Sequence, residues 1–264
     1  MTDPDRQDRQ DQQDQQDRQD RRRQLAANLA VVERRIAAAC AAAGRSRGEV
    51  ALVVVTKTYP ASDVRLLSGL GVADVAENRD QDAAPKAAEC SALPLRWHFV
   101  GQLQTNKVRS VLKYADRVHS VDRLRLVSAL SDGVLKAERL PLGCLIQVDL
   151  GGEPGSESAG GEFAPARGGA LPDAVPELAD ALAAAPGLRL DGVMAVAPLR
   201  GRFAGNPRAA FDRLAEIASR VREAHPAATM VSAGMSGDLE QAIAAGATHV
   251  RVGTAVLGAR PPLG

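Results

Sequence analysis

From Val50 onward, short apolar runs alternate with segments of helical period, and this rhythm constrains the fold more than any other feature of the chain. The runs read as strands at about Val50–Thr56, Asp74–Glu77, Arg96–Val100, Arg117–Val121, Gly143–Leu150, Leu190–Val196, Thr229–Ser232 and His249–Val252. Between them the spacing predicts helices over Ser62–Leu70, onward through Ala88, over Asn106–Tyr114, Asp122–Arg139, Ala174–Ala184, Pro207–Ala224 and Asp238–Ala245. Unbroken apolar strands separated by helices demand a parallel sheet covered on both faces. Roughly eight such units over about 220 residues match a single (β/α)8 TIM barrel. An open doubly wound sheet is the alternative. It expects a glycine-rich turn after the first strand, and here that turn is Lys57-Thr58-Tyr59-Pro60.

Two segments fall outside the rhythm. Leu25, Leu29, Val32, Ile36 and Ala39 define an amphipathic helix before the first strand, stopped at Gly44. Residues 1–24 are Asp, Gln and Arg in near-repeats, read as a disordered tail because almost nothing apolar offsets the entropy of ordering them. Residues 25–264 then form the barrel domain. The excursion from Gly151 to Ala170, rich in Gly, Ser and Glu, interrupts the alternation after the fifth strand.

Composition removes several classes of function. A net charge of +1 and the lack of a long basic stretch argue against nucleic-acid binding. Cys40, Cys90 and Cys144 are odd in number and far apart, and the four histidines form no HxxxH pair, so neither a disulfide framework nor a metal site is expected. No apolar run is long enough for a membrane span and no leader is evident, which points to the cytoplasm.

The chemistry is carried by three stretches. The first strand ends at Lys57, and a lysine there is costly to bury unless it is paired, neutral or covalently bonded. A partly buried lysine is a nucleophilic amine suited to Schiff bases; a lysine that snorkels to water is the plainer reading of this segment alone. Ser232-Ala233-Gly234-Met235-Ser236-Gly237-Asp238 leaves the seventh strand, and Arg251-Val252-Gly253-Thr254 leaves the eighth. Small and hydroxyl residues in these positions expose N–H groups to an anion, and barrels often bind phosphate there. Taken alone, each stretch reads first as ordinary turn glycine and capping serine. A barrel sets strands one, seven and eight side by side. A lysine, a phosphate cradle and a planar cation together suit pyridoxal 5′-phosphate (PLP).

These stretches resemble the pyridoxal phosphate homeostasis proteins (YggS/PLPBP-like), single-domain relatives of the alanine racemase N-terminal barrel. The resemblance spans roughly Leu25 to Arg260. It rests on Val55-Thr56-Lys57-Thr58, Glu77-Asn78-Arg79, the long stretch from Trp97 to Lys107, His119-Ser120-Val121-Asp122-Arg123, Gly192-Val193-Met194-Ala195, Gly234-Met235-Ser236-Gly237-Asp238 and Arg251-Val252-Gly253-Thr254. It implies that Lys57 is the Schiff-base lysine, that Ser236, Gly253 and Thr254 hold the phosphate, and that Arg251 faces the pyridine nitrogen. Asn78 and Met194 would line the cofactor. His98 and Asn106 are expected at or just behind the pocket, and His119 in packing. The segment from Gly152 to Gly169 is longer and more glycine-rich than the family pattern and lacks its lysine-bearing portion.

A ring nitrogen facing arginine is held unprotonated, because guanidinium offers only donors, and carbanions are then stabilised less. The alanine racemases add a tyrosine base from a second domain, which the sequence does not extend to; its tyrosines are Tyr59 and Tyr114. The expected function is therefore PLP binding for intracellular homeostasis, with the cofactor buffered or delivered to PLP-requiring apoenzymes by a monomer, and with no firm catalytic residue. The alternatives are a PLP-dependent amino-acid racemase-like enzyme and a barrel for another phosphorylated metabolite.

Overall fold

The computed structural model describes residues 4–139, 141–151 and 168–258. Its strands are β1 (Ala51–Val55), β2 (Asp74–Glu77), β3 (Arg96–Phe99), β4 (Arg117–Val121), β5 (Leu142–Gln147), β6 (Leu188–Met194), β7 (Met230–Ser232) and β8 (His249–Val252). All pair in parallel, in sequence order, and close into a barrel. Closure is made by β1 on β8, with Ala51 opposite His249 and Val54 opposite Val252. The two chain ends that carry Lys57 and Gly253–Thr254 thus emerge from neighbouring strands.

The helices are α1 (Pro4–Ala42), α2 (Ala61–Gly69), α3 (Asp80–Glu89), α4 (Val108–Val111), α5 (Leu124–Lys136), α6 (Val175–Ala184), α7 (Pro207–Ala224), α8 (Leu239–Ala244) and α9 (Thr254–Leu257). The helix expected over Asn106–Tyr114 is shorter: a 3-10 turn, Thr105–Lys107, leads into α4. Residues 152–167 of the excursion after β5 lie outside the described residues.

Alternation along each strand sorts side chains between lumen and shell. Val54, Val250 and Val252 pack outward with α1, α8 and α9, while Phe99, Val118, Ile146 and Val193 pack under α5, α6 and α7. Within the barrel, Leu145, Met194 and Met230 form an apolar cluster. Facing them are the fully buried His98, His119 and Ser232 and the nearly buried Arg251. Gly192 permits the close β6–β7 approach: at φ 151°, a Cβ there would sit 1.9 Å from the Met230 carbonyl oxygen. The three cysteines are buried and free.

The first helix reaches back to Pro4, across residues expected as a disordered tail. The cause is local. Gln and Arg are good helix formers, and Gln13 donates to Asp17 at 2.9 Å and Gln16 to Asp20 at 3.3 Å, each four residues on. The tail needed no core to be helical, because it continues a helix that has one. Leu25, Val32 and Ile36 are fully buried against Leu239, Ile243, Val256 and Leu257, each burial worth about 1.5–3 kcal/mol. Arg21 forks onto Asp63 at 2.6 and 3.0 Å, and Arg35 onto Glu240 at 2.7 and 2.9 Å. Helix α1 therefore straps the seam where β8 meets β1.

Candidate functional site

Lys57 lies two residues beyond β1, half-buried, in a turn pinned from three sides. Thr56 donates its backbone N–H to the Ala76 carbonyl at 2.9 Å and its hydroxyl to Glu77 Oε1 at 2.6 Å. Lys86, on α3, donates Nζ to the Thr56 carbonyl at 2.8 Å and to Glu77 Oε1 at 2.6 Å. On the far side, Tyr59 Oη donates to the Gly258 carbonyl at 2.8 Å. Thr58 holds φ at 70°, a left-handed conformation that a β-branched residue adopts only when its surroundings impose it. The strain sits next to Lys57, where these tethers fix the direction of the chain.

The two loops opposite Lys57 meet. Ser236 follows β7 and Thr254 opens α9, and their hydroxyl oxygens lie 3.4 Å apart. The Ala255 N–H also points at Ser236 Oγ, at 3.4 Å. Gly253 caps α9; a Cβ there would stand 3.2 Å from the Val55 carbonyl oxygen, so its small size lets β8 pass close to β1. Gly234, at φ 87°, shapes the other loop, and a Cβ there would come within 2.6 Å of Ala242 Cβ. Asp238 accepts from the Met235 N–H at 2.6 Å and closes that turn.

Arg251 reaches the C-terminal end of the lumen. Its guanidinium donates to Ser232 Oγ at 2.7 Å and to the Ala195 carbonyl at 3.0 Å. Burial lowers its pKa to about 10, which leaves it a cation at neutral pH. Behind it lie His119, His98 and Asp74. Burial holds His119 well below the ordinary histidine range, helped by its neighbours His98 and the Arg251 cation, and it lowers His98 too, against the pull of Asp74. His249 is pushed down to about 4, again first by burial. Burial opposes the Asp74 carboxylate, but hydrogen bonds from His98 and Arg96 outweigh it and hold its pKa well below the usual range.

Of the residues expected at the site, Lys57, Ser236, Gly253, Thr254 and Arg251 cluster at the C-terminal ends of β1, β7 and β8. Asn78 is half-buried just after β2, and Met194 ends β6 inside the lumen. His98 lies wholly inside the barrel, behind Arg251, while Asn106 is exposed on the 3-10 turn after β3. The buried pairing of Glu77 with Lys86 is not marked by any motif or spacing in the sequence. The available signal was Lys86 itself, a cation on the buried face of α3 with Asp80, Ala83 and Ala87.

The donor set suits PLP. Two hydroxyls and an N–H converge at one pole, where they would suit a phosphate; Lys57 would supply an amine for an aldehyde, and Arg251, which carries only donors, would suit a ring nitrogen.

The family described as the alanine racemase N-terminal domain matches residues 22–261. The pyridoxal phosphate homeostasis protein of Mycobacterium leprae (strain TN) is 41% identical over 244 residues, covering 87% of this chain and 90% of that one. That of Escherichia coli (strain K12) is 37% identical over 246 residues, covering 89% and 97%. This chain belongs to the pyridoxal phosphate homeostasis protein family. Within the solved structures, this family member resembles PipY of Synechococcus elongatus PCC7942 with PLP bound, at 30% identity and a TM-score of 0.71, over 89% of this chain and all of that one. Alanine racemase from Corynebacterium glutamicum shares the fold at 14% identity and a TM-score of 0.62, and this chain spans 62% of its length.

Proposed function

We propose that this chain binds PLP through Lys57 in the cytoplasm and buffers or delivers it to PLP-requiring apoenzymes, without robust amino-acid turnover. The observation that carries the reading is the convergence of Ser236, Thr254 and the Ala255 N–H beside the strand that ends in Lys57. Ser236, Thr254 and Gly253 hold the phosphate, Arg251 faces the ring nitrogen, and Asn78 and Met194 line the ring. When bound, PLP supplies an aldehyde that captures amines and a ring that withdraws electrons.

The residues around it favour holding over turnover. Arg251 can give a ring nitrogen hydrogen bonds but no carboxylate, so the ring is kept a weak electron sink. Both tyrosines are engaged elsewhere. Tyr59 is buried and bonded to the Gly258 carbonyl. Tyr114 has its hydroxyl raised far above the ordinary range by burial and by Asp80, toward which it points at 3.5 Å. Neither is a free base. No described helix is long and apolar enough to cross a membrane, and no cluster among the described residues is arranged to hold a metal.

The test is the visible spectrum of the purified protein with added PLP, beside Lys57→Ala, followed by borohydride and peptide mass mapping. A band in the wild type alone, fixed by reduction as added mass on Lys57, supports the reading. No band in either protein overturns it. Steady-state racemase turnover that depends on Lys57 would replace the carrier by an enzyme.

A further inference from the structure

A line of hydrogen bonds crosses the barrel beneath the site. Asp74, the first residue of β2, faces His98 Nε2 at 2.9 Å. His98 Nδ1 faces His119 Nε2 at 2.8 Å, from β3 to β4. His119 Nδ1 faces Ser232 Oγ at 3.0 Å, across the lumen on β7. Ser232 Oγ accepts from Arg251 at 2.7 Å. His98, His119 and Ser232 are wholly buried, and Asp74 and Arg251 nearly so.

The proton positions along this line follow from its two ends. Asp74 also accepts the Arg96 fork at 2.6 and 2.7 Å, so it is a carboxylate and accepts from His98. The His98 proton is then on Nε2, which leaves Nδ1 as an acceptor. A neutral ring has one proton, so His119 must donate from Nε2 and present Nδ1 as an acceptor to Ser232. Ser232 already accepts from Arg251, and its own proton goes to His119. Every bond therefore points the same way, from guanidinium to carboxylate.

We propose that Asp74, His98, His119 and Ser232 are positioning residues: a one-way relay that fixes the guanidinium of Arg251 and sharpens Ser232 Oγ as its acceptor. Both direct partners of Arg251, Ser232 Oγ and the Ala195 carbonyl, are neutral oxygens. A fork with five donors can turn in several ways around such partners. Aligned hydrogen bonds polarise one another, so the Asp74 charge reaches Ser232 as a stronger acceptor. The relay is buried among other ionisable groups: Arg117 on β4, His249 on β8 and Asp116 before β4 act on the His98 end, while Arg251, His249 and Arg117 act on His119. The apolar half of the lumen, Leu145, Met194 and Met230, adds no charge, and the carboxylate that acts on Arg251 is Asp238, in the loop after β7.

The effect on the cofactor rests on the PLP reading above; the proton positions do not, and the test separates the two. On the full chain labelled with 15N-histidine, long-range proton–nitrogen spectra at pH 7 should show His98 and His119 as neutral rings protonated on Nε2. In Ser232→Ala, the Nδ1 signal of His119 should move to that of an unbonded acceptor while His98 keeps its proton on Nε2. A proton on Nδ1 of either ring, or an imidazolium at pH 7, overturns the relay. PLP titration then reads the consequence. Ser232→Ala should keep the Lys57-dependent band, shift its maximum, and weaken binding roughly tenfold, the scale for one hydrogen bond to a charged group; Ser232→Thr should restore both. Unchanged band and affinity in Ser232→Ala would show that Arg251 needs no relay. Absence of the band from wild type as well would sink the PLP reading and leave the relay to be decided by the nitrogen spectra.

Discussion

The Thr254 hydroxyl lies 3.4 Å from the hydroxyl of Ser236, which is 18 residues earlier in the chain. Neither residue follows the other on one element. They meet because β7 and β8 are neighbours and both loops turn toward the same pole of the barrel. That pole is shared with the end of β1, through the pairing of Val54 with Val252.

If this pole holds phosphate, its loss should be felt by the phosphate alone. Ser236→Ala and Thr254→Val should each weaken PLP binding about five- to tenfold, on the scale of one hydrogen bond to a charged acceptor. Binding of pyridoxal, which lacks the phosphate, should hardly change. Titrating each variant with both ligands checks this, and equal losses for the two would move the phosphate elsewhere.

How much of this was legible in the sequence depends on distance along the chain. That Lys57, Ser236 and Thr254 would meet at one pole was legible, because a charge ends the first apolar run, hydroxyls follow the last two strands, and a barrel makes those strands neighbours. The barrel was legible because β1 to β8 pair in chain order, so local alternation carries the topology. The contacts around Arg251 were not legible: His119 and Ser232 meet across 113 residues, and no periodicity marks that pairing. The start of α1 is marked by less: residues without an apolar face read as a tail running into the helix, and here they continue a helix anchored by Leu25 and Ile36.

Gly101 explains why the stretch after β3 needs a glycine. A Cβ there would lie 2.0 Å from the Asn78 carbonyl oxygen and 2.9 Å from its Cα. Both neighbours are backbone and cannot step aside alone. Gly101→Ala should therefore push Asn78 out of place, lowering Tm by several degrees and weakening PLP binding. A thermal scan with a PLP titration reads both; an unchanged Kd in a destabilised variant would remove Asn78 from the site.

Glu77 and Lys86 are a buried ion pair beneath the Lys57 turn, with side-chain exposures of 0% and 7%. Lys86→Met leaves the Glu77 carboxylate buried without its cation, which should cost about 3–5 kcal/mol. The double variant Glu77→Gln with Lys86→Met should recover most of that. Urea unfolding of the single and double variants measures it, and a single variant as stable as wild type would mean that the pair contributes nothing.

Acid should destabilise the fold before its carboxylates titrate. Burial lowers His98, His119 and His249 in the folded chain, His249 to about 4, against about 6.5 when unfolded. Below that unfolded value the unfolded chain binds more protons than the folded one, so stability falls with falling pH. The loss begins near pH 6.5 and continues for His249 to about pH 4, at up to about 1.4 kcal/mol per pH unit for each histidine. Asp74, lowered in the fold, adds to the loss only once pH drops through the ordinary carboxylate range. Urea midpoints from pH 8 to 5 should decline below pH 6.5, and His249→Asn should make the decline shallower. A flat profile would mean that these rings are not held neutral.

The N-terminal helix divides at Arg21. Before it, the side chains from Gln12 to Asp20 are exposed, and the hydrogen bonds of Gln13, Gln16, Asp17 and Asp20 stay within α1, Asp20 also accepting from Arg23. Arg21 is different: it forks onto Asp63 and also donates to the Leu257 carbonyl at 3.0 Å, tying α1 to α2 and to the end of α9. Asp63 is 4% exposed and loses its charged partner if Arg21 goes. Removing residues 1–20 should leave unfolding in urea unchanged within about 0.5 kcal/mol, the scale of surface changes. Removing Arg21 as well, or Arg21→Ala in the full chain, should cost about 1–3 kcal/mol. The break between the two truncations is the prediction. Equal stability on both sides of Arg21 would mean that the strap begins only at Leu25, where burial begins.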